Sequence, residues 1–145
     1  MQEPFVSVLM PIRNEEKYIQ RSLDSVLSQN YPADRIEIII IDGMSVDGTR
    51  EIVSEVFNNY PNRYLQILDN PKGIVPAALN IGLRRAKGQF VVRVDGHCEI
   101  SSNYILQCVS HLVNEEVECV GGLINTIGIT KLGETIAVSM STPFG

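Results

Sequence analysis

Residues 36–49 read Ile36-Glu37-Ile38-Ile39-Ile40-Ile41-Asp42-Gly43-Met44-Ser45-Val46-Asp47-Gly48-Thr49. Five of the first six side chains are isoleucine, so the run is β-branched almost throughout and short enough for a strand. Apolar residues on both faces of a strand are expected in a parallel sheet covered by helices on each side. The sharp change to Asp42-Gly43 marks the strand's end, and Asp47 or Thr49 can cap the helix that carries Ile52, Val53, Val56, Phe57 and Tyr60.

Working outward, the same alternation continues in both directions. Residues 5–12, Phe5-Val6-Ser7-Val8-Leu9-Met10-Pro11-Ile12, form an earlier buried strand. Glu15 and Glu16 open the next helix, whose stripe is Ile19, Leu23, Val26 and Leu27 and which Tyr31-Pro32 ends. Residues 64–68 make a third strand. Pro76 stands early in the following helix, which packs Ala78, Leu79, Leu83 and Ala86 and closes with Arg84, Arg85, Lys87 and a Gly88 cap. Residues 90–94 form a fourth strand, Ser101 or Ser102 starts a helix with Ile105, Val109, Leu112 and Val113, and residues 117–123 add a fifth strand. The expected fold is α/β: a Rossmann-like, mostly parallel sheet with helices on both faces, in a single domain over residues 1–145. The apolar end, Thr142-Pro143-Phe144-Gly145, reads as a truncation, because domain termini are usually polar.

Composition narrows the function classes. Twelve Lys+Arg against seventeen Asp+Glu give a net charge of -5, and with 6% aromatics and no Trp the chain lacks a nucleic-acid footprint. The three cysteines, Cys98, Cys108 and Cys119, lack CxxC spacing and read as reduced, mostly buried small hydrophobes, which favours a reducing, cytoplasmic setting. There is no signal peptide, and no apolar run approaches the ~18 residues that span a bilayer.

In an open α/β sheet, ligands bind beyond the carboxyl ends of the strands. Four polar clusters follow the four strands: Pro11, Arg13, Asn14 and Glu15; Asp42 through Thr49; Asp69, Asn70, Lys72 and Gly73; and Asp95-Gly96-His97. Asp47, Gly48 and Thr49 serve equally well as turn and cap residues. Asp42, after an apolar run, can accept a hydrogen bond from a ligand N–H. Asp95 and His97, two residues apart in a turn, can approach one cation from the same side, and oxygen plus nitrogen ligation suits Mn or Mg. Other nucleotide folds fail on residues: the first strand has no glycine-rich turn after it, no GxxxxGK[ST] run exists, and a receiver-type phosphoacceptor site would need acids where Arg13 and Asn14 stand.

These residues resemble family 2 glycosyltransferases of the GT-A fold. Residues 6–15 look like the family's opening motif and residues 23–32 like its first helix. Residues 37–49 resemble its E-x-I-V-V-D-D-G-S-x-D-G-T segment. Asn70-Pro71-Lys72-Gly73, with Ala77-Ala78-Leu79-Asn80-Ile81-Gly82 and Ala86-Lys87-Gly88, follows the next signature, and Asp95-Gly96-His97 takes the place of the DxD motif. With Arg93 before it, that variant looks most like the succinoglycan-type exopolysaccharide branch. The resemblance implies an inverting transfer from a nucleotide-diphosphate donor, a UDP-sugar by family expectation, to a saccharide or lipid-linked acceptor. It places Pro11, Arg13, Asn14 and Glu15 around the nucleotide and Asp42, with Ser45 beside it, at the uracil. Lys72, Gly73 and Asn80 border the nucleotide and sugar, Asp95 faces ribose and metal, and His97 joins Asp95 on Mn or Mg. The DDGS acids are reduced here to Asp42-Gly43-Met44-Ser45. The catalytic base is expected beyond Gly145, so no catalytic residue is assigned and the chain is expected to bind donor without transferring sugar; the full-length protein is expected in the cytoplasm at the inner face of the membrane. A nucleotide-binding module without transfer chemistry is the alternative.

Overall fold

The computed structural model describes residues 3–115, 117–128 and 130–141. Its elements are β1 (Val6–Ile12), α1 (Ile19–Leu27), a single 3-10 turn (Ala33–Arg35), β2 (Ile36–Asp42), α2 (Thr49–Asn59), β3 (Tyr64–Asp69), α3 (Val75–Arg85), β4 (Phe90–Arg93), α4 (Tyr104–Asn114) and α5 (Lys131–Met140). The strands form one parallel sheet in the order β3-β2-β1-β4. β1 and β2 are central and every residue of both is buried, as apolar side chains on both faces require.

Alternation along the central strands sorts the two covering layers. Val8, Met10, Ile12, Ile38 and Ile40 pack with Ile19, Leu23 and Val26 of α1, Val53 and Val56 of α2, and Ile105 and Val109 of α4. Leu9, Ile39 and Ile41 face the other way, onto Ala78, Leu79 and Ile81 of α3 and onto Ala86 just after it. Each fully buried isoleucine contributes about 1.5–3 kcal/mol relative to exposure, so β2 alone anchors much of the core.

Chain direction explains where a ligand can enter. From β1 the order runs through β2 to β3 on one side, while β4 joins on the other, so the switch point lies between β1 and β4. Their pairing runs from Val6 with Phe90 to Leu9 with Arg93, and the last ladder bond is from Val94 N–H to the Leu9 carbonyl. The next donor on β1 would be residue 11, which is proline and has no N–H. β4 therefore leaves the ladder at Asp95, and a crevice opens.

Several expectations are corrected. Residues 117–123 form no strand. Regular α1 begins at Ile19, and Glu15 and Glu16 lie in the turn before it, the Glu15 carbonyl accepting from Tyr18 and Ile19. α1 also stops at Leu27, before Tyr31-Pro32. α4 starts at Tyr104, the Ser101 carbonyl accepting from its N–H. Leu83 points outward, 52% exposed; Gly82 meets the sheet instead, where a Cβ would come within 3.0 Å of Ile41 and 3.1 Å of Leu9. Ala86 caps α3, while Gly88 lies where a Cβ would sit 2.4 Å from the Ser7 nitrogen. All three cysteines are free, but only Cys108 is buried. Residues 142–145, read as a truncated end, lie outside the described residues.

Candidate functional site

The carboxyl ends of the strands carry two polar groups of different character. The first joins the β1–α1 and β2–α2 loops. Asn14 and Met44 adopt left-handed conformations, φ 54 and 60, which turn both loops sharply after their strands. The Asn14 N–H then donates to Ser45 Oγ at 2.9 Å, and Val46 N–H donates to Asn14 Oδ1 at 2.9 Å. Glu15 N–H reaches Thr49 Oγ1 at 2.8 Å, and Glu16 N–H reaches Asp47 Oδ2 at 3.2 Å. Asp47 also accepts from the Thr49 N–H at the start of α2, whose N-cap is Gly48, and the Thr49 hydroxyl bond holds its carboxyl below the usual carboxylate range. Asn14 and Ser45 are both engaged in this brace.

Asp42 sits beneath it with no exposed surface. Its carboxylate accepts from Ser45 Oγ at 2.5 Å, from the Ser45 N–H, and from Arg50 Nη1 at 2.9 Å. The same guanidinium nitrogen donates to Asp69 at 2.6 Å, and these two carboxylates raise the Arg50 pKa, Asp69 the more. Sequence reading placed Asp42 at a ligand; the structure places it in a buried ion pair with Arg50. Arg50 was missed, since a helix arginine eight residues on has no signature of its own. Asn70 is also nearly buried, its N–H donating to the Asp42 carbonyl, and its Oδ1 has no hydrogen-bond partner among the described residues.

Arg13 lies across the mouth, Nη1 donating to the Gly73 carbonyl at 3.3 Å. Two glycines make room for it. A Cβ on Gly43 would come 3.2 Å from the Arg13 side chain, and one on Gly73, whose φ is +65, would come 2.6 Å from Nη1. Lys72 and Asn80 are exposed nearby in sequence, and Pro11 is buried in β1.

The second group occupies the β1–β4 crevice. Asp95 is held from three directions: its carboxylate takes Arg93 Nε at 2.7 Å and Nη2 at 2.9 Å, and its carbonyl takes Ser22 Oγ at 3.1 Å. Cys98 N–H closes the turn onto that carbonyl at 2.9 Å. The Asp95 carboxylate raises the Arg93 pKa through this pair. Gly96 lets the turn pass close to β1, because a Cβ would come 2.9 Å from Glu15 Cγ and 3.0 Å from Ile12 Cγ2 and would push those side chains aside. That close approach delivers His97 to Glu15, with Nδ1 2.9 Å from Oε1. Asp95, His97 and Cys98 each offer one donor atom within 4.8 Å of the others. Each Asp95 oxygen accepts one Arg93 donor and keeps a lone pair, and one His97 ring nitrogen remains beyond the Glu15 contact. The donor set therefore fits a divalent cation.

A parallel sheet with this strand order, and an acid-histidine turn at its switch point, places the polar rim where open α/β sheets bind ligands. Residues 7–136 match the glycosyl transferase family 2 model, so the chain belongs to that family. It is 36% identical over 119 residues to the glycosyltransferase AglE of Haloferax volcanii, covering 82% of this chain and 39% of that protein. It is 31% identical over 144 residues to the Methanococcus voltae dolichyl N-acetyl-alpha-D-glucosaminyl phosphate 3-beta-D-2,3-diacetamido-2,3-dideoxy-beta-D-glucuronosyltransferase, covering 96% of this chain and 45% of that protein. The mannosyltransferase PcManGT from Pyrobaculum calidifontis, solved with GDP-Man and Mn2+, superposes with a TM-score of 0.76 at 29% identity, over 84% of this chain and 37% of that one. The chain thus spans less than half the length of each. No helix among the described residues is long and apolar enough to cross a membrane.

Proposed function

We propose that this chain is the donor-binding domain of an inverting glycosyltransferase that moves a sugar from a nucleotide diphosphate to a saccharide or lipid-linked acceptor in polysaccharide biosynthesis. The observation that carries it is the crevice opened by Pro11, where Glu15, Asp95 and His97 meet at the strand ends of a family 2 chain. Arg13, at the mouth, supplies positive charge to the phosphates. Glu15 orients the His97 ring, and Arg93 fixes the Asp95 carboxylate toward the ribose. Asp95 and His97 hold a divalent cation, Mn or Mg, that supplies charge neutralisation to the leaving diphosphate.

Uridine is the base implied by the resemblance, with Ser45, held from beneath by the buried Asp42, and Gly73 on its side of the rim. The Pyrobaculum neighbour was solved with a guanosine donor, GDP-Man. The dolichyl phosphate in the name of the Methanococcus relative supports a lipid-linked acceptor; the succinoglycan-like Asp95-Gly96-His97 turn supports exopolysaccharide as the product. No residue of this chain is assigned as the base that deprotonates the acceptor, which the resemblance locates C-terminal to Gly145. The purified chain accordingly binds donor without transferring sugar.

Titration calorimetry of the chain with UDP and Mn tests this reading, with GDP in a parallel run. Binding of UDP that weakens at least tenfold, about 1.4 kcal/mol, in Asp95→Ala is expected. Equal heats from wild type and Asp95→Ala, or none with either nucleotide, would refute the site.

A further inference from the structure

The crevice turn holds one group that the donor-site reading does not use, the exposed thiol of Cys98. We infer that Cys98 is a third protein ligand beside Asp95 and His97, which makes the cation site of this chain selective for thiophilic divalent metals, zinc and cobalt ahead of magnesium. The inference rests on the metal-assisted reading above and specifies its ligand set.

The turn is built to bring the three donors together. Its backbone is closed by Cys98 N–H on the Asp95 carbonyl at 2.9 Å and pinned to α1 by Ser22 Oγ on the same oxygen. Gly96 lets the turn pass against Ile12 and Glu15, where a Cβ would displace both side chains. The result is one donor atom each from a carboxylate, an imidazole and a thiol within 4.8 Å of one another. Glu15 on His97 Nδ1 gives the imidazole the outer carboxylate that orients histidine ligands in metal sites.

Ligand chemistry then decides the metal. Magnesium takes oxygen donors in a near-octahedral shell and gains little from sulfur. Zinc and cobalt accept mixed oxygen, nitrogen and thiolate sets, and catalytic zinc sites keep three protein ligands and one open position. Charge points the same way. Arg93 offsets one of the two nearby carboxylates, Asp95 and Glu15, so the crevice keeps a net negative charge that attracts a dication, and the bound dication in turn favours the Cys98 thiolate over the thiol. Coordination releases the thiol proton to solvent. The open position is left for water or a diphosphate oxygen.

Cobalt(II) alone is the probe, titrated into the full chain without nucleotide and followed by absorption. A thiolate-to-cobalt charge-transfer band in the near ultraviolet is expected. It should disappear in Cys98→Ser and persist in Cys108→Ser and Cys119→Ser. Zinc affinity of Cys98→Ser, read by competition with a chromogenic chelator, should fall at least about tenfold, with the far-ultraviolet circular dichroism unchanged because the side chain is exposed. A band that survives Cys98→Ser, calorimetric cobalt binding without a band, or no cobalt binding at all would overturn the inference. Failure of UDP binding with a Cys98-dependent band intact would instead sink the donor-site reading alone, so the two outcomes separate.

Discussion

Replacing Arg50 by methionine tests whether the rim is built on a buried charge. Asp42 has a side-chain exposure of 0%, whereas Arg50 is 39% exposed, and they meet at 2.9 Å. Removing one partner of a fully buried ion pair costs about 3–5 kcal/mol. Here the exposed guanidinium is partly screened and Asp42 keeps the Ser45 hydroxyl and N–H, so the expected loss is about 2 kcal/mol. For a chain of this size that is a fall in Tm of roughly 6–8 °C. Asp69→Asn breaks the other arm of the same arginine, but Asp69 is 59% exposed and its loss should cost at most about 0.5 kcal/mol. The Asp42→Asn/Arg50→Met double variant removes both charges and should recover to within about 1 kcal/mol of wild type. Urea unfolding of wild type and the three variants measures these differences. If Arg50→Met costs no more than Asp69→Asn, or the double variant is worse than Arg50→Met, then Asp42 is not a charge held by Arg50 and the reasoning fails.

Burial, with Glu3 adding to it, pushes the Tyr31 phenol from its ordinary value of 10.0 up to about 12, while its O–H donates to the Pro4 carbonyl at 2.6 Å. The folded state therefore holds this proton more tightly than the unfolded state, so its contribution is intact below pH 10 and lost as pH rises through about 12. Urea midpoints should fall across that window in wild type and fall less in Tyr31→Phe; parallel slopes would exclude Tyr31 as the source. Gly88→Ala forces a Cβ to 2.4 Å from the Ser7 nitrogen and 2.6 Å from its hydroxyl, disturbing the Gly88 N–H to Ser7 Oγ bond, for a loss of about 2–4 kcal/mol. Gly121→Ala meets nothing within 4 Å and should stay within about 0.5 kcal/mol of wild type; equal effects at both positions would contradict the packing argument.

The sheet was legible because burial writes itself into composition. Ile38 through Ile41 pack on both faces, as expected of a central strand in a sheet covered by helices on each side. The polar rim was legible for the same reason, as each strand's apolar run stops at the edge of the core. What could not be read was partnership. His97 meets Glu15 across 82 positions and Asn14 meets Val46 across 32, contacts that exist only because parallel strands bring their ends side by side. Asn14 and Ser45 were read as ligand groups; the structure adds that they brace one loop on the other, a partnership that spacing alone does not reveal. Residues 117–123 have strand-like composition, but composition does not supply a neighbour, and Gly121-Gly122 interrupts them. Leu83 and Gly82 show the limit of periodicity: adjacent positions differ by about 100° around a helix, and close approach to Leu9 and Ile41 selects the smaller residue for the buried side.

The central claim is that the donor's metal sits in the β1–β4 crevice. Manganese, added in small amounts to the isotope-labelled chain with UDP, broadens the amide resonances of residues near it. The account predicts that Glu15, Gly96, His97 and Cys98 broaden first, while Lys87 and Gly88, at the opposite ends of the strands beside Ser7 and Glu37, stay sharp. Broadening centred on Asp47 or Asp69, or spread evenly over the chain, would contradict it.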